Sequence, residues 1–416
     1  MTTPTSGSEA PALTKLNIPF VEFVVIIACL MALNALALDV MLPALPDIGA
    51  DLNIEDPNKR QSILTAYLIG FGVAQLFLGP ITDAMGRRGL LLAGLGLYSI
   101  GSIFAIFAPN LELLLAARVL QGIGCAAPRV IAVSAVRDCF HGRQMGRVMS
   151  LVMMIFMIVP IIAPSIGQAV LLFAGWHWIF SLLLFAGVAV LIWCAVRLPE
   201  TLPKERRTKL EVKETINAYK LALTSRLSLG YMLALTFVFG GLFSFISMSQ
   251  QIYVGIFDLG VWFPVVFALS AVMSSLSSFT NSRLVETIGM RRMSHGAVFA
   301  FVCCGSVMAI VSISGFETVY SFTIACALTM ACFGFLGANF NALAMEPLGR
   351  IAGTASSVIG FVTTLGGALL GYVVGQMFNG TTLPLAVGII IFGSCALCCI
   401  LYAERGRLFH PSVNTD

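Results

Sequence analysis

Charge is what this chain has least of. Only 11% of its 416 residues are Asp, Glu, Lys or Arg, against about 25% in a soluble domain. With 58% hydrophobic residues and a mean hydropathy of +0.94, it reads as an all-α polytopic membrane protein. Histidine is scarce as well. His141, His177, His295 and His410 sit at the ends of apolar runs or in loops, which excludes a zinc site and a histidine proton relay. No GxxxxGK[ST] stretch is present, so ATP is not the expected energy source. No nucleophile–base pair or ligand cluster stands out, so an enzyme is not expected, nor a cofactor, nor a nucleic-acid partner. Cysteine is not lacking, but ten of the 11 lie in apolar runs, as small buried hydrophobes do. Cys395-x-x-Cys398 has no His or acid nearby and is discounted as a metal or redox pair.

What is present in abundance is apolar sequence in span-length blocks. A spanning helix needs about 20 such residues. Twelve candidates follow: 20–43, 62–82, 89–108, 113–136, 147–173, 178–198, 227–252, 261–281, 295–314, 318–344, 352–377 and 382–403. The even number puts both termini on one side. Basic residues choose that side. All but four of the 24 Lys and Arg fall on it, among them Lys15, Arg143, Lys209 and Arg350. Lys59 and Arg60 fall opposite; Arg118 and Arg129 fall inside the fourth span. Both termini are therefore expected in the cytoplasm. Residues 1–19 are polar, lack a cleavage signal, and read as a cytoplasmic tail. Residues 199–226 form the one long charged loop, between six-span halves at 20–198 and 227–403, with a second tail at 404–416.

The halves echo each other. Gly79-Pro80-Ile81-Thr82-Asp83-Ala84-Met85-Gly86-Arg87-Arg88 follows the second span, and Glu286-Thr287-Ile288-Gly289-Met290-Arg291-Arg292 follows the eighth, as a degenerate copy. In both, the acid precedes the glycine by three. Such duplication suggests two pseudo-symmetric bundles rocking about a midplane site.

The fourth span is the stretch around which the rest is organised. An arginine near a bilayer centre costs roughly 2.5–3.5 kcal/mol, yet Arg118 and Arg129 both lie there. They project from nearly the same face, about 16 Å apart along the axis, with Gln121, Cys125 and Ala132 on the same stripe. Asp39, in the outer part of the first span, lies at a depth similar to that of Arg118. Desolvation favours a neutral carboxyl and a nearby guanidinium an ionised one, so this pair is the candidate proton site. Two other readings stay open: Asp39 as a loop cap, and Arg118 as a tie to carbonyls of the first span. Arg129 follows Pro128 and suits a carboxylate or phosphate, as the anchor of an anionic substrate. Its alternatives are an internal ion pair with Glu22 and snorkelling to the interface.

These motifs, in order, resemble those of the major facilitator superfamily over essentially the whole chain. Gly79, Asp83, Gly86, Arg87 and Arg88 match the loop signature; Arg118-x-x-Gln121-Gly122-x-Gly124 matches the fourth-span signature of proton-coupled members. Ala163-Pro164-x-x-Gly167 resembles the fifth-span antiporter motif, with Gln168 where a second glycine is common, and Leu198-Pro199-Glu200-Thr201 matches the end of the first half. Asp39 to Pro46, Val136-Arg137-Asp138, Ala342 to Met345 and Ala352 to Ser356 resemble the Bcr/CflA-type drug:proton antiporters. The resemblance implies a gate on the inner side, with Asp83 holding the halves together and Arg87 paired to Asp138; Pro164 and Gly167 read as a packing seam and gate, as do Gly367, Gly371 and Gly375. It also implies a cavity lined by the first, fourth, seventh and tenth spans. Candidates for contact with substrate are Met31, Asn34, Tyr67, Met153, Phe243, Gln250, Tyr253, Asn339 and Asn341. The second half carries no charge deep in a span; Glu346 lies at the inner end of the tenth.

The expectation is a monomeric, multi-pass exporter in a bacterial inner membrane, exchanging protons for small amphipathic compounds. The alternative is a carrier for a specific anionic metabolite, such as a carboxylate siderophore, anchored by Arg129.

Overall fold

The computed structural model describes residues 18–207 and 210–410. Most of the first expected tail, with Lys15, the last six residues of the second, and Lys209 of the loop lie outside the described residues. Among the described residues fourteen α-helices follow in chain order: α1 Phe20–Asp39, α2 Leu45–Asp51, α3 Ser62–Met85, α4 Arg87–Ile106, α5 Leu111–Cys139, α6 Gly142–Phe173, α7 His177–Arg197, α8 Val212–Thr224, α9 Arg226–Gln250, α10 Phe263–Ile288, α11 Met290–Ser314, α12 Val319–Met345, α13 Ala352–Gln376 and α14 Leu383–Ala403. Twelve helical segments among the described residues are long and apolar enough to cross a membrane. Helix is what lipid demands, because every backbone N–H and C=O must be satisfied within the segment. The twelve expected spans are all there; several run on past the apolar blocks, α5 and α6 by a turn at the end where α1 begins and α14 ends. That end is called the terminal face below.

Helices α1 and α3–α7 pack together, as do α9–α14. The two groups meet along α3 against α13 and α6 against α10. Glycine sets the closest approaches. A Cβ on Gly122 would strike the carbonyl of Tyr67 on α3, and one on Gly124 the backbone of Tyr98 on α4. The two glycines of Gln121-Gly122-x-Gly124 therefore seat α5 between two different neighbours. Gly167 on α6 lies in the same way against the carbonyl of Val40, at the end of α1.

One correction concerns residues 199–226, read above as a loop. Residues 212–224 form α8, an amphipathic helix that buries Ala218 and Ala222. Tyr219 on α8 donates its hydroxyl to the carbonyl of Leu76 on α3. Charge density hid the helix: Lys213, Glu214 and Lys220 occupy one flank, so no apolar block of span length appears.

Candidate functional site

The stripe on α5 faces inward. Arg118 is fully buried. Its Nη2 donates to the carbonyl of Ala37 on α1 at 3.0 Å, its Nε to the carbonyl of Ile63 on α3 at 3.3 Å, and its Nη1 to Oε1 of Gln121. Gln121 in turn donates Nε2 to Ser102 on α4 at 2.8 Å. The guanidinium lies 4.6 Å from the centroid of the Tyr67 ring, at cation–π distance. Tyr67 donates its hydroxyl to Oδ1 of Asn34 on α1 at 2.9 Å. One cation thus ties α1, α3 and α5 and reaches α4 through Gln121. Asn34 and Tyr67 join this cluster. Such convergence onto backbone carbonyls is the arrangement of the tie reading.

Asp39 stands two residues beyond the Ala37 carbonyl. It is 5% exposed, and no hydrogen bond or salt bridge to its carboxyl is found among the described residues. Arg118 approaches the helix end that carries Asp39 and leaves the carboxylate alone.

Arg129, eleven residues on, differs from Arg118. It is half-buried, its Nη1 is buried without a hydrogen-bond partner, and its Cζ lies 5.8 Å from the centroid of Phe156 on α6. The Glu22 pairing is overturned. Both oxygens of Glu22 are held by Arg197 at 2.7 Å, and Trp193 donates to the same carboxylate at 3.2 Å. Helix α5 runs on through Pro128.

At the terminal face Arg87 is buried and divides its donors three ways: to Asp83 at 2.6 Å, Asp138 at 3.1 Å and Thr82 at 2.7 Å. Gly86, with φ of 101°, makes the turn between α3 and α4 that sets this geometry. Asp83 reaches across to the second half: a Cβ on Gly353, at the start of α13, would sit 3.2 Å from its Oδ2. Gly79 packs against Ser357 on the same helix. Arg88 donates Nη2 to the carbonyl of Ala195 at 2.6 Å. Glu200 accepts from the backbone N–H of Arg87 at 2.9 Å and of Arg88 at 3.3 Å, which satisfies two orphan donors at the start of α4. No capping role for Glu200 was read from the sequence; an acid just past a span-ending Leu-Pro is the signal that marked it.

The expected cavity residues scatter. Met31, Phe243 and Gln250 are buried, Met153 is half-buried, and Asn341 is exposed. Tyr253 is fully buried among Phe263 and Phe322, inside the second half. Asn339 exchanges amide hydrogen bonds with Asn281 on α10, donating Nδ2 at 2.8 Å. In this structure the contacts of Tyr253 and Asn339 lie within one half.

Two networks escaped sequence reasoning. On the face opposite the termini, Asn58 and Gln61 of the first half grip the second. Asn58 Nδ2 donates to the carbonyls of Gln376 and Phe378, Gln251 donates to Asn58 Oδ1, and Gln61 donates to Gln251 and Gly375. Gln251 opens a π-helical turn, Gln251–Ile256, that continues α9; such turns are rare and cluster at functional sites. At the terminal face of the second half, Arg291 pairs with Glu346 and Glu404, while Glu286 is exposed. Tyr231 joins Glu404 to His295, whose Nδ1 accepts the N–H of Phe409.

The comparisons with known proteins agree with this architecture. The family model described as Major Facilitator Superfamily matches residues 27–371. An uncharacterized MFS-type transporter of Bacillus subtilis, YdgK, is 33% identical over 88% of this chain and 91% of its own length. A bicyclomycin resistance protein homolog of Haemophilus influenzae is 30% identical over 91% of this chain and 94% of its own. The solved structure of the xylose transporter XylE from E. coli superposes with a TM-score of 0.72 at 11% identity, covering 92% of this chain and 97% of that one; this last likeness is one of fold alone.

Proposed function

This chain belongs to the Major Facilitator Superfamily, and we propose that within it the protein is a proton-driven exporter of small amphipathic compounds. It would work by alternating access in a bacterial cytoplasmic membrane, with both termini inside. The bias of Lys and Arg toward one face supports that orientation, and a relative whose name ties it to bicyclomycin resistance supports a drug-type cargo. The observation that carries the reading is Asp39: a buried carboxyl without a partner among the described residues, in the first span, two residues beyond a carbonyl that a buried cation holds. Its charge answers to hydration and to the position of its neighbours, which is what a site loading protons on one side and releasing them on the other needs. Arg118 would hold the helix end that presents it.

The experiment is uphill export from proteoliposomes under an imposed pH gradient, wild type against Asp39→Asn. The variant is expected to lose proton-driven accumulation while it still equilibrates cargo downhill. Full uphill transport by Asp39→Asn overturns the proton role.

A second reading concerns the cargo. Arg129 has a buried, unbonded N–H and an aromatic ring close by, and the acid that would have neutralised it is taken. A carboxylate on an aromatic or alicyclic body would suit both groups. A competition panel of acidic, neutral and cationic compounds on wild type and Arg129→Gln tests this. Selective loss of the acidic competitors in the variant supports it; an unchanged panel rejects it.

A further inference from the structure

The cleft between the linker and the start of α4 borders the loop signature through Arg88, but the transport reading assigns it no ligand. It encloses about 580 Å³, and Arg88, Leu92, Glu200, Lys204 and Arg207 line it. Its inner acid is spent. Glu200 accepts the two N–H groups at the start of α4, the N–H of Leu202 at 3.0 Å, and Arg207 at 3.5 Å. The other acid of the lining, Glu205, is exposed. The guanidinium groups are only partly spent. Among the described residues, Nε of Arg88 and Nε of Arg207 are both buried with no hydrogen-bond partner. Buried N–H donors left unmade are costly, and here two, on Arg88 and Arg207, belong to the lining of one cleft.

The surroundings say what kind of acceptor fits. Arg88 also bonds Ala195 near the end of α7, and beside it Ile192 and Val196 are 55% and 74% exposed. On a membrane-spanning helix those side chains face lipid. The cleft therefore joins a cationic floor to an apolar wall at the bilayer surface. A ligand for it has an anionic group with several acceptor oxygens and a hydrocarbon body. We propose that one anionic phospholipid binds here, its phosphate between Arg88, Lys204 and Arg207, and its acyl chains along α4 and α7.

Native mass spectrometry on the full-length protein in mild detergent, titrated with phosphatidylglycerol or phosphatidylcholine, tests the site. One phosphatidylglycerol is expected to bind in preference to phosphatidylcholine. Each cation near a lipid surface is worth about fivefold in binding, so Lys204→Gln with Arg207→Gln is expected to weaken it about thirtyfold. Lys204→Arg is expected to retain it. Should Arg207→Gln fail to give monodisperse protein, Lys204→Gln alone, at an exposed side chain, reads the fivefold loss. Equal binding of phosphatidylcholine, or undiminished phosphatidylglycerol binding by Lys204→Gln, overturns the proposal. So does displacement of the lipid by inorganic phosphate at matched concentration, which would make the cleft a free-anion site.

Discussion

Replacing Arg118 by Ala separates a structural tie from a pure charge effect. The guanidinium makes three hydrogen bonds, to Ala37, Ile63 and Gln121, on three helices or their ends. Hydrogen bonds from a charged donor contribute about 1.5–3 kcal/mol each, a gross loss of roughly 5–9 kcal/mol for three. Against that stands the cost of holding a guanidinium out of water, several kcal/mol, which the substitution removes. The net destabilisation is then about 2–4 kcal/mol. For a unit near 200 residues, 1 kcal/mol moves the melting temperature by about 2–4 °C, so a fall on the order of 10 °C is expected for the first half. Buried cysteines give the readout: Cys125 on α5 and Cys194 on α7 are fully buried, and a thiol-reactive dye in a thermal ramp reports their exposure. Arg118→Lys is expected to recover only a fraction, because one ammonium cannot reach all three acceptors at once. A melting temperature within about 1 °C of wild type for Arg118→Ala would refute the tie, since 2–4 kcal/mol could not hide there.

Asp39→Asn is expected to melt at or slightly above the wild-type temperature in the same ramp, because the buried carboxyl it replaces has no hydrogen bond to lose among the described residues; a fall of several degrees would mean that the carboxyl has a structural partner after all. Arg129→Gln should likewise leave stability unchanged or raise it, in contrast to Arg118→Ala, since its Nη1 bonds nothing; a loss comparable to that of Arg118→Ala would show a partner for it. Asn58→Ala removes three side-chain hydrogen bonds across the two halves, worth about 2–3 kcal/mol together, and is expected to raise amide hydrogen exchange at 251–256 and 376–378 by about thirtyfold or more. Unchanged exchange in those segments would show that the polar clasp does not hold the halves together.

The parts of the fold legible in the sequence are those that lipid enforces. Span count and the two-half division follow from apolar length and repeated turns, because backbone groups in hydrocarbon leave helix as the only option. Polar clusters on span ends were not legible, for a different reason. Asn58, Gln61 and Gln251 carry no charge and occur at loop positions or the end of a span, so nothing local distinguishes a clasp from solvated amides; their meaning arises when α3, α9 and α13 meet. The same limit separates Arg118 from Arg129. Both appear as forbidden charges on one stripe, eleven residues apart. Only the packing divides them. Gly122 and Gly124 draw α5 so close to α3 and α4 that Arg118 is captured by carbonyls, while Arg129, beyond Pro128 and facing α6, meets a phenyl ring and no acceptor. The residue whose three guanidinium nitrogens are each bonded is the one whose loss should harm the fold. The one left wanting an acceptor is where a cargo with a negative charge has something to bind.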